Sequence, residues 1–204
     1  MSKVVLLLSG GIDSTVLLYY LKSLGHEVSA VTFDYGQKNW KEIKMVKLLA
    51  EKTQTPLKIF KIRNLSELAK SSLLGKEPAS PNQTFFVPGR NAIFLSLATA
   101  YAQSIGAEEV VYGSTLEDYN DYPDCRPEFV ENFSKAMEIA YGVKVSAPFI
   151  NKSKSEIVKI GKELGVDFKL TWSCYYSGRK HCGKCPACLK RKKAFEENGI
   201  LDWR

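Results

Sequence analysis

Val4-Val5-Leu6-Leu7-Leu8-Ser9-Gly10-Gly11-Ile12-Asp13-Ser14-Thr15 is the stretch that decides the fold. An uncharged apolar run ends in a serine and two glycines, and an apolar-periodic segment (Val16, Leu17, Leu18, Leu21) follows at once. This predicts a buried strand over 4–8, a tight turn, and a helix from about 14 to 24. Without Cβ atoms, Gly10 and Gly11 let the backbone come close to an anion and aim successive N–H groups at it. The helix behind them directs its positive dipole end at the same point. Ser9, Ser14 and Thr15 add hydroxyl donors. The turn reads as a phosphate cradle.

Outward from this turn the chain alternates. Strands are expected over 28–33, 57–62, 109–113 and 143–149, and helices over about 38–53 and 91–105. Strand–helix alternation of this kind predicts an α/β fold, a Rossmann-like parallel sheet with helices on both faces. Residues 71–90 break the rhythm with a Ser-, Pro- and Gly-rich segment, long enough to be a lid or binding loop. It ends at Phe86-Val87-Pro88-Gly89-Arg90-Asn91, where Arg90 reads as either a triphosphate ligand or a surface residue before a helix. Ser153-Lys154-Ser155-Glu156 is a capping box. Lys152 and Lys154 sit at that helix start, where the dipole disfavours cations, which hints at an anionic partner.

At 204 residues, 45% hydrophobic and 25% charged, the chain has the composition of a soluble globular protein. No stretch is apolar enough for a membrane span or a signal peptide, so a cytoplasmic location and no membrane partner are expected. The net charge of +7 is local. Arg179, Lys180, Lys184, Lys190, Arg191, Lys192 and Lys193 hold seven of the 29 basic residues, which leaves 22 to balance 22 acids. This patch surrounds Cys174, Cys182, Cys185 and Cys188, spaced C-x7-C-x2-C-x2-C. Clustered cysteines without an export signal point to a metal, and four thiolates close a structural Zn²⁺ site. The spacing alone also admits an iron–sulfur cluster. The basic residues read equally as neutralising a thiolate site and as a nucleic-acid surface. Pro186 suits the first turn of a helix carrying Cys188 and stopping near Gly199. His26 and His181 read as solvated.

No lysine stands where a Walker A loop needs one, and no G-x-G-x-x-G is present. Ser9-Gly10-Gly11-Ile12-Asp13-Ser14 instead resembles the S-G-G-x-D-S signature of the PP-loop ATP pyrophosphatases. Further stretches narrow the resemblance: Asp34-Tyr35-Gly36-Gln37, Val87-Pro88-Gly89-Arg90-Asn91, Tyr122-Pro123-Asp124-Cys125-Arg126-Pro127-Glu128-Phe129, Thr171-Trp172-Ser173-Cys174 and His181-Cys182-Gly183-Lys184-Cys185-Pro186-Ala187-Cys188. Together they resemble the 7-cyano-7-deazaguanine synthase family from about Val4 to Arg191.

That resemblance implies a single domain over 1–204, with a PP-loop nucleotide-binding core over 1–170 and a zinc-binding segment over 171–204. It implies ATP-dependent conversion of 7-carboxy-7-deazaguanine and ammonia to the nitrile through an adenylated acid and an amide, feeding a queuosine- or archaeosine-type nucleoside. Leu8, Ser9, Gly10, Gly11, Ile12, Asp13, Ser14, Thr15, Val16, Leu17 and Leu18 would form the ATP site, with Mg²⁺ at Asp13. Arg90 and Lys154 would stabilise charge at the α-phosphate. Asp124 would accept from the N–H edge of the ring, and Tyr122, Phe86 or Trp172 would stack on it. A homodimer is implied, and no direct nucleic-acid partner. The rivals are a PP-loop tRNA thiolase or another amide ligase and, in another class, a zinc-knuckle RNA-binding module. Cys125 lacks an activating base in the sequence and reads as a packed thiol.

Overall fold

The computed structural model describes residues 2–202 except 38, 64, 69, 70, 72, 75–84, 120 and 177. Strand and helix alternate as β1 (Lys3–Leu7), α1 (Ile12–Ser23), β2 (Glu27–Asp34), α2 (Trp40–Lys52), β3 (Leu57–Lys61), α3 (Leu65–Leu68), α4 (Arg90–Ser104), β4 (Glu109–Val111), α5 (Pro127–Tyr141), β5 (Lys144–Ser146), α6 (Lys154–Glu163) and α7 (Pro186–Glu197). All pairings are parallel, in the order β3-β2-β1-β4-β5. β1 is central: Leu6 lies opposite Ala30 on one side and Val111 on the other.

A parallel strand covered on both faces needs apolar residues at every position, which the Val-Val-Leu-Leu run supplies. Alternate residues divide between two cores. Val4, Leu6 and Leu8 join Val16, Leu17, Val46, Leu49, Ile157 and Phe195 from α1, α2, α6 and α7. Val5 joins Leu95, Ala98 and Val130 from α4 and α5. The C-terminal helix is thus part of the first core, and Gly199 takes a positive φ just past its end. No helix among the described residues is long and apolar enough to cross a membrane.

Two of the boundaries that differ from expectation have a structural consequence. α1 begins at Ile12 with Gly11 as an extended N-cap, two residues before the expected start near Ser14, so Asp13 lies inside the first turn. The fifth strand shrinks to Lys144–Ser146, because its only partner, β4, offers three pairing residues before both chains turn. Half of the expected lid, 75–84, lies outside the described residues; at its edges Leu73, Leu74 and Val87 are buried in the second core. The strand order reverses between β1 and β4, and open α/β sheets bind ligands at such a point, beyond the carboxyl ends of the strands.

Candidate active site and metal centre

A cavity of about 310 Å³ opens at that switch point. One wall is the glycine loop. Gly10 adopts a φ of +77°, and a Cβ there would come within 3.0 Å of the Glu42 carbonyl and 3.2 Å of Val46, so glycine alone lets α2 pack behind the loop. Gly113, after β4, meets the first turn of α1 as closely: a Cβ would stand 3.2 Å from the Ser14 nitrogen. Within the turn, the Ser9 N–H donates to Ser14 Oγ (3.2 Å), and the Thr15 hydroxyl donates to the Gly11 carbonyl (2.7 Å).

The structure divides the expected ATP stretch. Leu8, Ser9, Gly11, Ile12, Asp13 and Ser14 line the cavity, while Thr15, Val16, Leu17 and Leu18 lie fully buried beneath it and support α1. Gly10 shapes the turn from behind.

Lys154, the first residue of α6, lies beside the loop and donates through Nζ to Asp13 Oδ2. The anionic partner foreseen for it is within the chain. Ser153 and Glu156 form the expected capping box, and Glu117 accepts the Lys154 backbone N–H with both carboxylate oxygens (2.8 and 3.0 Å). Burial opposes the charge on Lys154, and Asp13, Asp118 and Glu117 overcome it, so its pKa rises above the ordinary lysine value. Asp118, itself pushed up by burial, accepts from the Thr115 N–H and hydroxyl. Asp13 Oδ1 is buried with no hydrogen-bond partner among the described residues.

The far wall is aromatic and carries Arg90. This residue opens α4 and lines the cavity with Tyr35, Tyr122 and Tyr175. Burial works against the Arg90 charge, but Tyr35, Glu42, Tyr122 and Asp124 raise its pKa nonetheless. Asp124 stands one step back. Its Oδ2 accepts the Asn91 N–H (3.3 Å) at the start of α4, and it is not part of the cavity wall. Phe86 approaches Tyr122 at 6.3 Å between ring centroids. Trp172 is 2% exposed and stacked on His181 at 4.3 Å, so it packs between loop and cysteines rather than presenting a free face. His181 is therefore half-buried, and its Nε2 accepts the Ser173 N–H (3.1 Å), unlike the solvated side chain foreseen. His26 is likewise half-buried, bonded to Ser2. Burial pushes the Cys125 thiol up to about 12, which leaves no thiolate for nucleophilic work.

Sequence reading missed Glu42, Asp118 and Tyr175 and gave Lys190 only to the basic patch; all four are on the cavity wall. For Glu42 a signal existed: it shares one helical face with Met45, Val46 and Leu49, which are buried, and a carboxylate on an apolar face is out of place. The others come from loops and helix ends whose meeting no local pattern announces.

Cys174, Cys182, Cys185 and Cys188 bring their sulfurs within 4.8 Å of one another, and Cys182 and Cys188 Sγ are 3.8 Å apart. Backbone N–H groups of Tyr176 and Cys182 point at Cys174 Sγ, and those of Lys184 and Cys185 at Cys182 Sγ. A donor set of four converging sulfurs with N–H support fits a thiolate-bound metal. The knuckle touches the active site: the Trp172 N–H donates to the Gly10 carbonyl (2.8 Å), and Trp172 Nε1 and Asn39 Nδ2 both donate to the Cys174 carbonyl (2.9 and 2.8 Å).

Comparison with known proteins agrees with this layout. The family model described as queuosine biosynthesis protein QueC matches residues 3–199. A 7-cyano-7-deazaguanine synthase from Caldicellulosiruptor bescii is 42% identical over 98% of this chain and 95% of its own length. One from Archaeoglobus fulgidus is 44% identical over 98% and 88%. Among solved structures, the U34-tRNA thiolase NcsA from Methanococcus maripaludis with its 4Fe-4S cluster superimposes with a TM-score of 0.60 at 18% identity, over 97% of this chain and 67% of that one. A 4-thiouridine synthetase–RNA complex with bound ATP gives 0.60 at 22%, over 96% and 50%. At such identities the two structures speak for the fold alone, whereas the near full-length matches go further: the chain belongs to the QueC family of 7-cyano-7-deazaguanine synthases.

Proposed function

We propose that the chain converts 7-carboxy-7-deazaguanine, ammonia and ATP to 7-cyano-7-deazaguanine, adenylating first the acid and then the amide, on the way to a modified tRNA nucleoside. It is an enzyme of the ligase kind. The observation that carries this reading is one cavity with a phosphate cradle on one wall and Arg90 with Tyr35, Tyr122 and Tyr175 on the other. A carboxylate is a poor electrophile until its oxygen becomes a leaving group, and adenylation makes it one while the loop holds the departing pyrophosphate. Ser9, Gly11 and Ser14 donate to the phosphates, and Lys154 and Arg90 balance the charge that develops at the α-phosphate. The unpartnered Oδ1 of Asp13 suits Mg²⁺, which would neutralise phosphate charge.

Zinc is the metal we assign to the knuckle. On one tetrahedral ion, sulfurs about 2.3 Å from the metal stand about 3.8 Å apart, close to the spacing of Cys182 and Cys188. Thiolates on a four-iron cluster each bind a different iron and spread further. A nucleic-acid partner is not part of the proposal, since Lys190, Arg191, Lys192 and Lys193 each have an acidic neighbour. A cytoplasmic location suits five cysteines none of which forms a disulfide. The homodimer remains a proposal from family resemblance, to be checked by sedimentation.

The test incubates the protein with ATP, ammonia and a panel of acids while AMP and pyrophosphate are followed. Release stimulated by the 7-carboxy compound alone is expected. ADP as the sole product, or indifference to that compound, would sink the proposal. Elemental analysis checks zinc against iron.

A further inference from the structure

Among the described residues three carboxylates line the cavity: Asp13, Asp118 and Glu42. Two are committed, Asp13 to Lys154 and Asp118 to Thr115. Other polar groups on the aromatic side are used as well. Gln37 accepts the Tyr35 N–H and donates to the Phe33 carbonyl, and Asn91 donates its side-chain amide to Cys125. Asp124, the acceptor suggested by the sequence, caps α4 and stands behind the wall.

Glu42 is the carboxylate that lines the cavity beside Arg90. It lies in the first turn of α2, where the close approach of its carbonyl to Gly10 fixes its backbone against the loop. Its carboxyl is hydrogen-bonded by Asn39, with Arg90 of α4 and Tyr35 at the end of β2 as its charged and titratable neighbours. A guanine-type ring presents two adjacent N–H donors, N1–H and the 2-amino group, and a carboxylate is the side chain with two parallel acceptors to match them.

We propose that Glu42 determines specificity for the base, its two oxygens accepting N1–H and the 2-amino N–H of the 7-deazaguanine ring; this rests on the function proposed above. Desolvation raises the Glu42 pKa to about 7, against the lowering effect of Arg90. Two N–H donors delivered by the ring favour the ionised form, so the ligand binds the carboxylate and releases its proton.

Calorimetry on the metal-loaded full chain, with a non-hydrolysable ATP analogue present, compares 7-carboxy-7-deazaguanine with the same compound lacking its 2-amino group. Wild type is expected to prefer the amino compound by about tenfold or more, as a site left with an unpaired buried acceptor rejects the smaller ligand. Glu42→Gln should bind the amino compound about 10- to 100-fold more weakly, discriminate less than about threefold, and hold the ATP analogue as before. In wild type, affinity for the amino compound should fall about tenfold from pH 8 to pH 6, with release of a proton on binding at pH 7. The pH series needs no variant to fold. A Glu42→Gln protein that still discriminates, or a wild type that turns over the acid with no preference and no pH dependence, overturns the role of Glu42. A wild type that neither binds nor turns over the acid overturns the proposed reaction itself.

Discussion

Lys154 is the residue on which the loop depends most visibly. Its ammonium pairs with Asp13 and feels the charge of Asp118, beside the loop proposed to hold the pyrophosphate. Lys154→Gln keeps the length and removes the charge. It should lower kcat on the order of 100- to 1,000-fold, because a preorganised donor to developing charge is lost. The KM for ATP should move little. Pyrophosphate release under saturating ATP checks both. Glu42 makes the complementary prediction about stability. Its folded pKa of about 7 stands above the ordinary carboxylate value, so the folded chain binds the proton more tightly than the unfolded one. Stability is then greatest below about pH 4.5 as far as this group is concerned, and falls as pH rises toward 7, by up to about 3 kcal/mol as an order of magnitude. Glu42→Gln should remove that slope and make the empty protein more stable at pH 8 in urea melts. A site that keeps a desolvated, half-buried carboxylate for its ligand trades stability for function in this way.

Elements were legible where the pattern was local. The run Val4–Leu8 and the spacing of Val16, Leu17 and Leu21 specify β1 and α1, and the periodicity of 91–105 gives α4 to within one residue. The order of the strands was not legible, since nothing in β4 says that it pairs with β1 rather than β3. Nor were the meetings that build the site: Lys154 and Asp13 are 141 positions apart, and Asn39 and Cys174 are 135. The start of α6 shows both kinds. Its capping box, Ser153 with Glu156, is visible in four consecutive residues, but Glu117, which accepts the first backbone N–H of the same helix, comes from a distant turn. The two caps should behave differently. Ser153→Ala is expected to cost about 1 kcal/mol and little activity. Glu117→Ala should cost a similar amount in stability and also lower turnover about tenfold or more, because misplacing Lys154 by an ångström loosens the cradle. Paired melts and pyrophosphate assays on both variants decide whether the second carboxylate positions the lysine or merely ends the helix.

For the whole molecule, the four-cysteine knuckle is joined to the glycine loop and is not an appendage to it. Met45 of α2 joins Trp172, Cys174, Cys185 and Cys188 in one buried cluster. From it Trp172 reaches the Gly10 carbonyl, with Lys41 over its indole face at 4.1 Å and its own N–H held by Cys174. Four thiolates on a divalent ion carry a net charge of −2, and exposed Arg179, Lys180 and Lys184 lie around them in the chain. Without the ion, four crowded sulfurs have no centre to hold them, and the strap from Trp172 to Cys188 loses its anchor. Chelation is therefore expected to do more than release metal. Hydrogen exchange should rise at the Trp172 amide, which the Gly10 carbonyl now protects, and then in the loop from Ser9 to Ile12. ATP-analogue affinity should fall about tenfold, as a loop that must be ordered on binding charges the ligand for it. The amides of β1 and β2, buried in the sheet and paired on both sides, should stay protected. If the Trp172 amide stays protected and ATP affinity is unchanged after the metal is gone, the knuckle and the cradle are independent, and the hydrogen bond between them is packing alone.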